Sequence, residues 1–106
     1  YRRPLLVTEN GIADASDARR PGFLVQSLHQ VWKQASRRSR SAPLIGWMHW
    51  SLTDNFEWSA GYAPKFGLYS YSPQTLERTP HPSASVVRTI ARGNRIPGPL
   101  VGRWVR

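Results

Sequence analysis

The sequence predicts an α/β chain with parallel strands, and three features predict it. Two short apolar runs, Leu5-Leu6-Val7 and the run opening at Leu44, flank a stretch of helical periodicity. In that stretch Leu24, Leu28, Val31 and Ala35 recur at spacings of four, three and four, which sets them on one helical face. The carboxylate Glu9 follows the first run at once and precedes turn-forming Asn10-Gly11, so it stands at the carboxyl tip of a strand. Parallel barrels place their reactive groups at such tips.

The first strand covers Leu5 to Thr8, short and apolar as expected of a strand buried on both faces. Glu9 to Ser16 is a polar loop, and Asp17 is a candidate N-cap for a helix with Pro21 in its first turn. That helix should end near Ser36 to Arg38, where arginines suit the negative end of the helix dipole. Pro43 opens the second strand, Leu44 to Trp50, in which Gly46 permits close packing. Ser51 to Pro64 reads as a long loop and Phe66 to Tyr71 as a short strand. Pro80-His81-Pro82 breaks the chain before Ser83, a candidate cap for a last helix striped by Val86, Val87, Ile90 and Ala91. Gly93-Asn94 stops that helix, and residues 94–106, with Pro97-Gly98-Pro99, are expected to be extended or disordered.

Fifteen basic residues against six acidic ones give a net charge of +9. Such a balance raises the question of a nucleic-acid partner. The arginines are scattered, however, and the one short cluster, Arg37-Arg38-Ser39-Arg40, lies in a helix-to-strand connection and reads as a solvated loop. The absence of cysteine excludes disulfides and thiolate metal sites. His29, His49 and His81 are too dispersed for metal-ligand spacing, so neither a metal nor another cofactor is expected. No apolar stretch reaches the roughly eighteen residues of a membrane helix, and no signal pattern is present, so neither nucleic acid nor membrane is an expected partner. A cytoplasmic location is the default expectation.

The nine residues Trp50-Ser51-Leu52-Thr53-Asp54-Asn55-Phe56-Glu57-Trp58 gather indoles and carboxylates in one loop, a composition suited to a sugar. This loop, Val7-Thr8-Glu9-Asn10-Gly11-Ile12, Gly61-Tyr62, Lys65-Phe66-Gly67-Leu68 and Arg78-Thr79-Pro80 together resemble the family-1 glycoside hydrolases, retaining β-glucosidases and β-galactosidases. The resemblance covers roughly residues 4 to 92. It implies that residues 1–93 form the C-terminal part of a (β/α)8 TIM barrel, with the two strands as its seventh and eighth. A complete barrel takes about 250 residues. A chain of 106 residues therefore implies a missing N-terminal barrel portion as partner.

The resemblance assigns Glu9 as the catalytic nucleophile; the alternative is a carboxylate capping its own turn through the Asn10 and Gly11 amides. Glu57 and Trp58 match positions that hydrogen-bond outer glycone hydroxyls, and Trp50 matches an indole on which the ring stacks. Otherwise Trp50 is a core aromatic and Glu57 a loop ion-pair partner. Phe66 is open between lining the glycone pocket and packing. Asp54 and Asn55 are expected to brace the loop, Trp32, Trp47 and Tyr62 to pack, and His49 to face away from the sugar. The family's acid/base Glu sits in an Asn-Glu-Pro motif that this chain lacks. The implied activity is hydrolysis of terminal β-D-glucosyl or related residues, from a β-glucoside or short β-linked oligosaccharide, with the isolated chain inactive. The rival readings are a carbohydrate-binding or interaction remnant without turnover and a basic nucleic-acid-binding module.

Overall fold

The computed structural model describes residues 3–36 and 42–105. The Arg37 to Arg40 cluster and the Ser39 to Ser41 lead into the second strand lie outside the described residues. The elements run β1 (Leu5–Asn10), α1 (Arg20–Ser36), β2 (Leu44–His49), β3 (Tyr69–Tyr71), β4 (Arg78–Pro80), α2 (Pro82–Gly93) and α3 (Gly98–Trp104). β1 and β2 pair in parallel across the α1 crossover, with Leu6 opposite Gly46, Val7 opposite Trp47 and Asn10 opposite His49. A Cβ on Gly46 would press on Cδ1 of Leu6 at 2.8 Å, so the small residue permits the close approach expected of it.

β1 is not buried on both faces: Leu5 is 52% exposed and Leu6 42%, and in β2 Ile45 and Met48 are exposed as well. A two-stranded sheet has one neighbour per strand, so apolar side chains on its face away from the helices meet solvent. The core lies instead between the sheet and the helices, where Leu24, Leu68 and Ala84 pack together with Trp47, Tyr69 and Val87 against them. The predicted apolar face of α1 is buried at its start, at Leu24, while Leu28 and Val31 are half-buried and Ala35 is exposed. Trp32, expected to pack, is 57% exposed and stacks on the His29 ring at 5.6 Å.

The helix caps differ from expectation. Asp14, not Asp17, receives the first amides of α1, with Oδ2 accepting from Arg19 N at 2.8 Å and Arg20 N at 3.1 Å. Asp17 adopts φ 58° and accepts the Ser83 amide at 2.8 Å, so it serves α2. Ser83 itself is buried one residue inside that helix, after Pro82 and the N-cap His81. Residues 94–106 are not uniformly extended: Gly98–Trp104 forms α3, with a proline in its first turn. Its Trp104 lies over Gly22, and Gln26 Nε2 donates to the Trp104 carbonyl at 2.8 Å. Tertiary contact with α1 thus secures a helix that Pro97-Gly98-Pro99 had argued against.

Candidate active site

The site is assembled at the carboxyl ends of β1 and β2, where two loops leave the sheet side by side. Asn10 carries β1 to its last residue, and its carbonyl accepts the Trp50 amide at 3.1 Å, so Glu9 and Trp50 stand on adjoining strand ends. Gly11 follows because a Cβ there would collide with the Trp50 carbonyl oxygen. The Trp50-Ser51 peptide is cis. Glu9 is exposed, and among the described residues no hydrogen bond or ion pair engages its carboxylate.

The loop after β2 is laid against the segment before β3. Ser51 N donates to Phe66 O at 3.2 Å, Leu68 N to Ser51 O at 3.0 Å and Tyr69 N to Leu52 O at 3.0 Å. Asp54 is buried and accepts the Gly67 amide at 2.9 Å, with Lys65 Nζ 3.8 Å from its other oxygen. Asn55 Nδ2 donates to Ser51 Oγ at 3.2 Å. Asp54 and Asn55 therefore brace the loop, and their inward bonds leave other side chains to face solvent.

Within this frame Trp50 Nε1 donates to Glu57 Oε1 at 3.2 Å, joining the two residues across the loop. A single-turn 3-10 helix, Trp58–Ala60, then reverses the chain, closed by Glu57 N to Gly61 O at 2.7 Å. Trp58 sits at φ 51° and is 84% exposed. Phe56 and Tyr62 meet edge to face at 5.5 Å. Phe66 is half-buried, and its carbonyl carries hydrogen bonds of the frame. The structure thus brings together Trp50 and Glu57 directly and sets Glu9 on the adjoining strand end, while Trp58 projects outward.

Two carbonyl-binding roles, those of Arg20 and His49, escaped the sequence reading. Arg20 is fully buried, pairs with Asp17 and donates through one NH2 to the carbonyls of Asp14 and Lys65, both at 2.6 Å. It clamps the loop after Glu9 to the segment before Phe66. Burial alone would push the Asp14 carboxyl up, but the Arg19 and Arg20 amides and the Ser16 hydroxyl hold it down, to about 2. His49 fills the space between Asn10 and Phe66, with one ring nitrogen 3.1 Å from each of their carbonyl oxygens. Burial lowers its pKa from the ordinary value, against the raising influence of those two carbonyls. Its ring stacks against Trp47 with centroids 6.0 Å apart. These roles carry no local sequence signal, because the Lys65 carbonyl lies 45 residues from Arg20 and the Asn10 and Phe66 carbonyls lie 39 and 17 residues from His49.

Known proteins resemble this chain in sequence and in fold. Residues 1–96 match the model of Glycosyl hydrolase family 1. The chain is 43% identical over 100 residues to a β-galactosidase of Sulfolobus acidocaldarius, covering 94% of this chain and 20% of that protein. It is 41% identical over 96 residues to a β-galactosidase of Saccharolobus solfataricus, covering 91% of this chain and 19% of the relative. Among solved structures, the β-glycosidase of Thermosphaera aggregans superposes with a TM-score of 0.86 at 47% identity, over 92% of this chain and 20% of the other. The β-glycosidase from Pyrococcus horikoshii gives 0.88 at 42% identity, over 98% and 24%. The chain spans about a fifth of the length of the curated relatives it matches. Its fold is accordingly part of a (β/α)8 barrel. On the family match and these relatives, the chain belongs to glycosyl hydrolase family 1.

Proposed function

We propose that the chain supplies the nucleophile and part of the glycone site of a retaining β-glycosidase acting on terminal non-reducing β-D-glucosyl or related residues. One observation carries the reading: the parallel β1/β2 pair sets Glu9 on the strand end adjoining Trp50, which is itself hydrogen-bonded to Glu57 at 3.2 Å. In this mechanism the Glu9 carboxylate attacks the anomeric carbon and the C–O bond to the aglycone breaks, the leaving oxygen taking a proton from a second carboxylic acid. The resulting glycosyl ester on Glu9 is hydrolysed by water, which that second group, now a carboxylate, deprotonates. The two carboxyl groups must lie about 5 to 5.5 Å apart.

No Asn-Glu-Pro segment occurs among the 106 residues, so the second carboxyl would come from the rest of a barrel. The isolated chain is accordingly inactive in this reading. Trp50 offers its indole face to the C–H side of the pyranose, and Glu57 accepts two of its hydroxyl protons. The relatives named β-galactosidase keep galactose within the range of glycones.

The test is Glu9→Gly in a complete barrel carrying this chain. It should abolish hydrolysis of aryl β-glucosides, and added azide should occupy the vacated space and return the α-glycosyl azide. Undiminished hydrolysis in Glu9→Gly would remove Glu9 from the mechanism. Turnover by the 106-residue chain alone, dependent on Glu9, would refute the need for a second part.

A further inference from the structure

We infer that His49 is a positioning residue for this reaction: its imidazole spans the backbone carbonyls of Asn10 and Phe66 and thereby fixes the nucleophile's strand end against the glycone loop. The inference rests on the function proposed for Glu9. Nδ1 lies 3.1 Å from the Asn10 carbonyl oxygen and Nε2 lies 3.1 Å from that of Phe66. The same two oxygens accept the amides of the two residues that follow His49, Trp50 N on Asn10 at 3.1 Å and Ser51 N on Phe66 at 3.2 Å. Backbone and imidazole of one short segment thus converge on two carbonyls that are far apart in sequence. One belongs to the neighbour of Glu9, and the other to the segment against which the sugar loop is laid.

The ring is set for this task. Trp47, two residues earlier on the same strand face, stacks on it at an interplanar angle of 26° and so restricts rotation about its last side-chain torsion. A ring with one proton donates to one carbonyl and presents a lone pair to the other; a ring with both donates to both. Burial opposes the second proton, and the charged groups acting on the ring are Arg20, which opposes it, and Asp17, which favours it. In every protonation state at least one end is held, and the imidazole occupies the gap between the two loops. Its effect on chemistry follows from geometry, since a nucleophile displaced by about 1 Å can lose on the order of a hundredfold in rate.

The test compares His49→Phe, which keeps a ring and loses both ring nitrogens, with His49→Gln, which keeps a donor, in a complete barrel carrying this chain. Glu9→Gln is the reference. Steady-state kinetics on an aryl β-glucoside should show kcat of His49→Phe reduced by about 10- to 100-fold with KM changed by less than about threefold, and a partial recovery of kcat in His49→Gln. A kcat within twofold of the wild type in His49→Phe overturns the inference, as does a lowered melting temperature with kcat preserved, which marks a purely structural residue. Where His49→Phe folds poorly, His49→Gln decides: reduced kcat at an unchanged melting temperature supports the inference, and full kcat refutes it. If Glu9→Gln itself remains active, the proposed function falls and the inference with it. If Glu9→Gln is inactive while both His49 variants keep full kcat, only the inference falls.

Discussion

The carboxylate of Asp17 accepts the Ser83 amide at 2.8 Å with one oxygen and pairs with the buried Arg20 guanidinium through the other. One side chain therefore caps α2 and anchors α1, and it does so next to the loop that follows Glu9.

Removing that carboxylate leaves a buried guanidinium without its counter-charge and α2 without its first hydrogen bond. Breaking a buried pair in this way costs about 3 to 5 kcal/mol, more than the roughly 1 kcal/mol of a lost cap. Asp17→Ala should therefore lower unfolding stability in urea by that larger amount, and Asp17→Asn, which can still accept the Ser83 amide, by less. A loss under 1 kcal/mol in Asp17→Ala would show that the Asp14 and Lys65 carbonyls suffice for Arg20.

Asp14 makes a pH-dependent contribution of definite sign. Its folded carboxyl is held at about 2 against an ordinary 3.8, so the stabilisation is complete above about pH 4 and is lost as pH falls through 2. The difference corresponds to roughly 2 to 3 kcal/mol. Urea midpoints of the wild type and Asp14→Asn should be well separated at pH 5 and draw together by pH 2. A constant separation would mean that the Arg19 and Arg20 amides do not distinguish the charged carboxyl.

Gly22 decides whether α3 can dock. A Cβ there would stand 2.7 Å from Cε3 of Trp104, a ring atom with no flexible terminus to move aside. Alanine would otherwise favour helix α1 by about 1 kcal/mol. Gly22→Ala should nevertheless release the indole, seen as a red shift of Trp104 fluorescence in a background with the other tryptophans replaced by Phe, and as faster proteolysis after α2. An unchanged spectrum would show that α3 is held through Gln26 rather than through ring contact.

The strands and first helix were legible because apolar runs and a four-three-four spacing are local signals, and β1, α1 and β2 stand close to where those signals put them. Glu9, Trp50 and Glu57 were legible as types in a motif, and their neighbourhood follows once β1 and β2 pair in parallel. Caps were not, because Asp14 reaches five and six residues ahead and Asp17 reaches sixty-six, whereas the local rule looks two or three residues on. The β3/β4 hairpin was missed beyond its first strand, since its reversal at Ser72 to Glu77 uses Leu76 at φ 59° in place of an Asn-Gly signal. The α3 helix depends on Trp104 meeting Gly22, a tertiary contact that overrides weak local propensity.

Glu57 tests the sugar-reading claim most directly. Its Oε1 accepts the Trp50 indole N–H at 3.2 Å, which orients the carboxylate and leaves acceptor capacity for hydroxyl groups of a bound glycone. Those bonds should strengthen as the ring flattens toward an oxocarbenium-like transition state. In a complete barrel Glu57→Gln preserves shape and one acceptor but loses the charge. The value of kcat/KM for glucosides should fall by roughly 2 to 4 kcal/mol of transition-state stabilisation, the range for truncating one partner of a buried charged hydrogen bond. Substrates lacking the 4- or 6-hydroxyl should lose much less, because the bond they would have made is already absent. The same negative charge should repel a 6-phosphate, so cellobiose should be hydrolysed far better than cellobiose 6-phosphate by the unaltered enzyme. Equal losses on normal and deoxy substrates, or a preference for the phosphorylated sugar, would mean that Glu57 orients Trp50 and does not read the glycone.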